Sequence, residues 1–350
     1  MSAKVRIKPH PTLVVRLFSG ALSWRLHKRS LMVMVVVGFC LLLLALLSLT
    51  SGTYPVSLAD LLLSLQGQGE EMVRMIVLEW RLPRILLSLL LGSALGMSGA
   101  IFQSLTRNPL GSPDIIGFTA GSYTGALVVI LLLSGGYYQI ALGALIGGVV
   151  TALVVYLLSM RHSLGGFRLI ITGIGISAML SAFNSWMIKA ADLNVAMTAA
   201  VWGAGSLNGL GFEQLVPVAI IMLVLAPLLC LSSRAMKQLE LGDDIARSSG
   251  ISTGSTRLSL MVLGVALTAM VTATAGPIAF IALAAPQIAR RLTCSAGVAL
   301  LPSALTGALL LLSADWAAQH AFSIQLPVGI MTVSIGGLYF IWLLLREGHS

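Results

Sequence analysis

The chain has 350 residues, of which 57% are apolar and only 9% charged, with a mean hydropathy of +0.97 and a formal net charge of +9. Soluble domains carry about 25% charged residues, so these values exclude a soluble globular chain and predict an all-α, polytopic membrane protein. Three dispersed cysteines and five scattered histidines have no paired or ligand spacing, which argues against a disulfide framework or a metal site.

Residues 1–30 contain Lys4, Arg6, Lys8, Arg16, Arg25, Lys28 and Arg29 and no acid, so a basic cytoplasmic tail is expected there. The uncharged stretch 31–49 is long enough to span a bilayer and lacks the short core and cleavage site of a signal peptide, so it reads as a retained first helix. A polar, mixed segment follows over residues 50–84. The second span, 85–105, is bracketed by unusual ends. Arg81 and Arg84 flank Pro83 at its outer mouth, where two guanidinium groups can meet the carboxylates of an external partner or anchor the helix at the interface. At the inner end RNPLGSPD supplies Asn108, Pro109, Gly111 and Pro113, which break a helix and free backbone groups; a gate and a plain cytoplasmic turn are both consistent with that.

Further spans are expected at 115–133, 139–159, 169–188, 214–232, 258–275, 278–292, 300–319 and 326–345, which makes ten within one transmembrane domain over residues 31–350. The eighth, 278–292, is short and interrupted by Pro286, and is expected to be a broken helix buried among others. With the N-terminus inside, all Lys and Arg except Arg74, Arg81, Arg84 and Lys189 fall on the cytoplasmic side, as do both termini. The basic charge then needs no nucleic acid to explain it. Glycines recur every fourth residue at Gly117, Gly121 and Gly125, at Gly92 and Gly96, and at Gly143 and Gly147. Such strips let helix backbones approach; a substrate path walled by small residues is the alternative. Asp315 is the one acid well inside an apolar tract, with no basic residue in that tract to pair with. Structural hydrogen bonding is favoured for it over a proton relay.

Residues 234–257 form the one long internal stretch with many charges of both signs, among them Lys237, Glu240, Asp243, Asp244 and Arg247. Gly242 ends the preceding run, Asp243 is a favourable N-cap, Asp244 lies in the first turn, Arg247 in the last, and Gly250 at a C′ stop. A helix that short needs packing or a partner to hold it, and an ordinary solvated loop has equal standing on charge pattern alone. None of the five lysines lies in a GxxxxGK[ST] context, so an ATP-driven process would need its ATPase on another subunit. No nucleophile, base or metal constellation suggests an enzyme, and no catalytic residue is assigned. An ion-coupled secondary transporter would more often show paired titratable groups at mid-membrane.

The stretches RLPRILLSLLLGSALGMSGAIFQSLTRNPLGSPDIIGF, RLIITGIGI, LELGDDIARSSGIS, AGPIAFIALAAPQIARR, LLLLSADWAAQ and LPVGIMTVSIGGLYFIWLL occur in that order. Together they resemble the FecCD-type permeases of bacterial binding-protein-dependent ABC importers for iron-siderophores and vitamin B12. The resemblance covers the chain from about Val77 onward and leaves the basic N-terminal residues outside. The wording of AIFQSLTRNPLGSPD and VWGAGSLNGL is most similar to family members that carry ferric enterobactin, a catecholate siderophore. The resemblance implies a ten-helix inner-membrane subunit paired with a related second permease. Two ATPase subunits would dock beneath, using ATP and magnesium, and a periplasmic siderophore-binding protein above; no cofactor is implied in this chain. Arg81 and Arg84 match outer arginines that meet the binding protein. Asn108, with Pro109 beside it, matches the cytoplasmic end of the path, and Gly165 and Gly166 lie at the corresponding inner end. Leu241, Gly242, Asp243, Asp244, Ala246, Arg247 and Gly250 match the coupling helix that fits a cleft on the ATPase. Two positions depart from the family pattern: Gln319 stands where many relatives have a further arginine, and Gln287 where the usual residue is histidine. Vitamin B12 or haem on the same scaffold is the alternative cargo.

Overall fold

The computed structural model describes residues 12–17, 22–160, 166–297, 299–322 and 324–347. Strands β1 (Thr12–Leu17) and β2 (Leu22–His27) pair antiparallel as a hairpin ahead of the first helix. Among the described residues, every regular element beyond it is helical. Helix α1 (Lys28–Thr50) is followed by α2 (Leu58–Leu65) and α3 (Glu71–Arg74), which runs through a π-helical segment, Met75–Arg81, into α4 (Leu82–Thr106). Next come α5 (Phe118–Val128) with a π-helical end (Val129–Leu133), α6 (Tyr137–Met160), α7 (Gly166–Ala190) and α8 (Leu193–Gly203). The chain closes with α9 (Phe212–Glu240), α10 (Asp243–Ser248), α11 (Thr253–Ala275), α12 (Ile281–Thr293), α13 (Leu300–His320) and α14 (Val328–Glu347).

Each of the ten expected spans falls on one of α1, α4, α5, α6, α7, α9, α11, α12, α13 and α14. Seven of the described helices are long and apolar enough to cross a membrane, and Phe118–Leu133 and Val328–Tyr339 are shorter apolar helices. Helices α2, α3 and α8 have no counterpart among the expected elements. The broken span also differs in detail from its expectation. Its interruption lies over residues 276–280, which are not helical, whereas the helix continues through Pro286. A proline there deprives the Ala282 carbonyl of its helical donor. That carbonyl lies directly against Gly99, where any Cβ would overlap it, so the freed oxygen is packed on a bare backbone strip of α4.

Helix α4 is the centre of the fold. Leu87, Leu91, Leu95 and Ile101 are buried together with Leu267 and Val271 of α11 and Leu311 of α13. The glycine strips are packing surfaces. A Cβ on Gly92 or Gly96 would overlap backbone of α13 at Gly307 and Ser303, and one on Gly125 would overlap α6 at Gly143. Ser98 Oγ donates to the Gly264 carbonyl at 2.8 Å and lies 2.7 Å from Thr268 Oγ1, which satisfies polar atoms that have no water to turn to. The peripheral helices α1, α7 and α9 instead expose Leu, Val, Ile and Trp side chains such as Leu42, Trp186 and Leu223, as a bilayer or partner-facing surface requires.

Candidate functional site

Pro83 is the second residue of α4, and because the π-helical segment ending on Arg81 runs directly into it, the missing N–H leaves a carbonyl of that preceding turn without a helical donor. Arg81 and Arg84 both turn inward. Arg81 donates Nη1 to the Leu49 carbonyl at 2.7 Å and Nη2 to the Tyr54 carbonyl at 2.6 Å, clamping the loop after α1. Arg84 makes a bidentate pair with Asp315, Nη2 to Oδ1 at 2.8 Å and Nε to Oδ2 at 2.9 Å; its side chain is 16% exposed and that of Asp315 2%. Asp315 therefore has a basic partner after all, supplied by another helix rather than by its own tract. Gln319 Nε2 adds a third donor to Asp315 at 2.8 Å, and Trp316 Nε1 donates to Ser51 Oγ at 3.1 Å. The start of α4, the end of α13 and the loop after α1 are thus one hydrogen-bonded unit.

At its C-terminal end α4 stops where Arg107 adopts a left-handed conformation, φ 50°. The Asn108 side chain accepts from the Leu110 N–H at 2.9 Å, an Asx turn that starts the following loop. Gln287 Nε2 of α12 donates to the Pro109 carbonyl at 2.7 Å. At the loop's far end Thr119 Oγ1 donates to Asp114 Oδ1 at 2.6 Å, and Asp114 accepts a further backbone hydrogen bond from Phe280. Burial pushes the Asp114 carboxyl up, and these two bonds oppose it. The turn is accordingly fastened at both ends to the broken eighth span. Gln287 was singled out in the sequence only as a departure from histidine; its contact with Pro109 joins segments 178 residues apart, which no local pattern signals. Gly165 lies outside the described residues, and Gly166 opens α7.

The segment following α9 forms the short helix α10. Gly242, at φ 123°, is its N-cap residue, so Asp243 is the first helical residue and not the cap that its side chain suggests. Its carboxylate is used elsewhere: Oδ1 accepts Nη2 of both Arg107 and Arg257, the latter at 2.7 Å, and Arg107 Nε also donates to the Leu239 carbonyl at 3.1 Å. Competition from two guanidinium groups outweighs one backbone N–H. The C-terminus does match expectation. Gly250 is left-handed at φ 80°, its N–H bonds the Arg247 carbonyl at 3.0 Å and Ile251 N–H bonds the Ala246 carbonyl at 3.0 Å, both bonds of a Schellman motif. Ala246 is fully buried against the helical core, whereas Leu241 and Ile245 are exposed and Asp244 is fully exposed beside Arg247, at 3.6 Å. The helix is therefore seated on this chain by one face, with a mixed apolar and charged face directed away from it.

Among the described residues no group of His, Cys, Asp and Glu could hold a metal ion. The profile of the FecCD transport family matches residues 40–346. The chain is 50% identical over 306 residues to the ferric enterobactin transport system permease protein FepG of Escherichia coli K12, covering 86% of this chain and 92% of that protein. It is 35% identical over 316 residues to the achromobactin transport system permease protein CbrC of Dickeya dadantii, covering 88% and 90%. Among solved structures, the inward-facing conformation of a metal-chelate type ABC transporter superposes with a TM-score of 0.80 at 27% identity, covering 90% of this chain and 99% of that one.

Proposed function

The chain belongs to the FecCD transport family, and from that premise we propose that it is one half of an inner-membrane channel for a ferric catecholate siderophore of the enterobactin type. It is a multi-pass membrane permease of the ABC importer kind. The observation that carries the cargo assignment is the 50% identity to a ferric enterobactin permease over nearly the whole of both chains. A second, related permease would complete the path. The chain itself performs no covalent chemistry, and energy would come from separate ATPase subunits using ATP and magnesium, since its own sequence has no phosphate-binding loop.

In this reading both termini and α10 face the cytoplasm. Leu241, Gly242, Asp243, Asp244, Ala246, Arg247 and Gly250 build the contact with the ATPase: Ala246 seats the helix and the exposed Leu241, Ile245 and Asp244 meet the partner. The turn carrying Asn108 and Pro109, together with Gly165 and Gly166 ahead of the fifth span, forms the inner end of the path. The outer rim that holds Arg81 and Arg84 receives a periplasmic binding protein. Arg84 shapes that rim through Asp315 while Arg81 fixes the adjoining loop. ATP-driven movement at α10 would switch the path between outward and inward openings as a rigid-body change.

Uptake in proteoliposomes containing both permeases and the ATPase tests the cargo, with a binding protein loaded in turn with ferric catecholate, cobalamin or haem. Stimulation by the ferric catecholate alone is expected. Preferential stimulation by cobalamin or haem would overturn the assignment.

A further inference from the structure

The inner turn and α10 are joined by one carboxylate. Asp243 Oδ1 receives Nη2 of Arg107, the last residue of α4's turn, and Nη2 of Arg257 near the start of α11. Arg107 also holds the Leu239 carbonyl at the end of α9, so its guanidinium grips the segment on both sides of Gly242. A left-handed backbone is unfavourable for arginine and persists only where its surroundings over-determine it. Here the backbone supplies a Schellman pair, Arg107 N–H to the Ser104 carbonyl and Asn108 N–H to the Gln103 carbonyl, both at 3.3 Å, and the side chain adds to it: among the described residues, both hydrogen-bond partners of the Arg107 guanidinium lie on the α9–α10 segment. The residue after Arg107 begins the turn whose Pro109 carbonyl is held by Gln287 and whose Asp114 is held by Thr119 and Phe280. Displacing α10 therefore pulls first on Arg107, and Arg107 cannot follow without rotating the turn.

We propose that the Asp243–Arg107 ion pair is the link that transmits movement of α10 to the turn over residues 108–113, which makes Asp243 and Arg107 positioning residues for transport. This rests on α10 being the element that meets the ATPase. The neighbouring Asp244–Arg247 pair cannot take this role, because it is exposed and closes within α10 itself. Arg257 holds the same carboxylate from α11 and keeps Asp243 oriented toward Arg107 when the first contact is altered.

The test is a mutant cycle in the assembled transporter in proteoliposomes, with cargo-loaded binding protein, using Arg107→Gln, Asp243→Asn and the double variant. Three quantities are read: ATPase subunits that co-purify, ATP hydrolysed, and cargo imported per ATP. Retained ATPase subunits are expected, with cargo per ATP reduced about 10-fold in each single variant and no further in the double, since both remove the same link. Arg107→Lys keeps the charge and loses the fork, so about a 3-fold reduction is expected. Unchanged cargo per ATP in Arg107→Gln, or an about 100-fold additive loss in the double, would overturn the link; so would loss of the ATPase subunits from Arg107→Gln, which would make Arg107 a docking residue. Ala246→Pro separates the premise. If that proline within α10 leaves both co-purification and uptake intact, α10 is not the ATPase contact, whatever the Arg107 variants do.

Discussion

Arg84 of α4 and Asp315 of α13 are joined by a bidentate ion pair whose role can be measured directly. Two hydrogen bonds of 2.8 and 2.9 Å join side chains that are 16% and 2% exposed, and Gln319 supplies the only other side-chain donor to the carboxylate among the described residues. Removing one member of such a pair strands a desolvated charge and costs about 3–5 kcal/mol, whereas replacing both with apolar groups of similar volume is close to neutral. Arg84→Met and Asp315→Leu are each expected to lower the melting midpoint of the detergent-solubilised complex by about 6–10 °C, taking about 2 °C per kcal/mol for a chain of this size. The double variant should return to within about 2 °C of the unaltered protein. Thermal scanning of the monodisperse complex by fluorescence-detected size exclusion measures all three. Single variants that melt with the unaltered protein, or a double variant as unstable as the worse single, would refute the ion pair as a tether between α4 and α13. An arginine serving only an external partner would give the opposite pattern: unchanged melting, and weaker binding-protein affinity from Arg84→Met but not from Asp315→Leu.

Arg81→Glu removes the clamp on the Leu49 and Tyr54 carbonyls and reverses a charge at the rim. Binding-protein affinity at low salt is expected to fall about 10-fold, with membrane insertion intact. Unchanged affinity in a surface-immobilised titration would take Arg81 out of the interface. Gly96→Val places a branched side chain against the Ser303 backbone of α13, and should destabilise the complex by about 1–3 kcal/mol in the same melting assay. An unaltered midpoint combined with altered cargo selectivity would instead make the glycine strip a wall of the path.

The membrane helices were legible in the sequence because burial in lipid demands long uncharged runs, and each of the ten expected spans falls on a helix, although α9 continues to Glu240, beyond its expected end at 232. Helix α8 escaped because LNVAMTAAVWG is too short to span, and its start carries no side-chain cap. The eighth span was recognised as short, yet proline drew attention to residue 286, while the backbone change lies ahead of it at 276–280; the compensation at Pro286 is a glycine on another helix. The same limit applies at the candidate sites. Asp315 and Arg84 are 231 residues apart, and Arg107 and Asp243 136 apart, so neither pairing has a local signature. Gly250 was legible because its role is set by its own backbone and its immediate neighbours. Asp243 was misplaced as a cap because its choice of partner is tertiary.

The most direct measurement is iron uptake into sealed proteoliposomes that hold this chain with its second permease, with and without the ATPase subunits, under either ATP or an imposed proton gradient. Accumulation of the ferric catecholate is predicted only when the ATPase subunits and ATP are both present, and it should persist when the gradient is collapsed. Accumulation driven by the gradient in vesicles lacking the ATPase would contradict an ABC permease and identify an ion-coupled transporter.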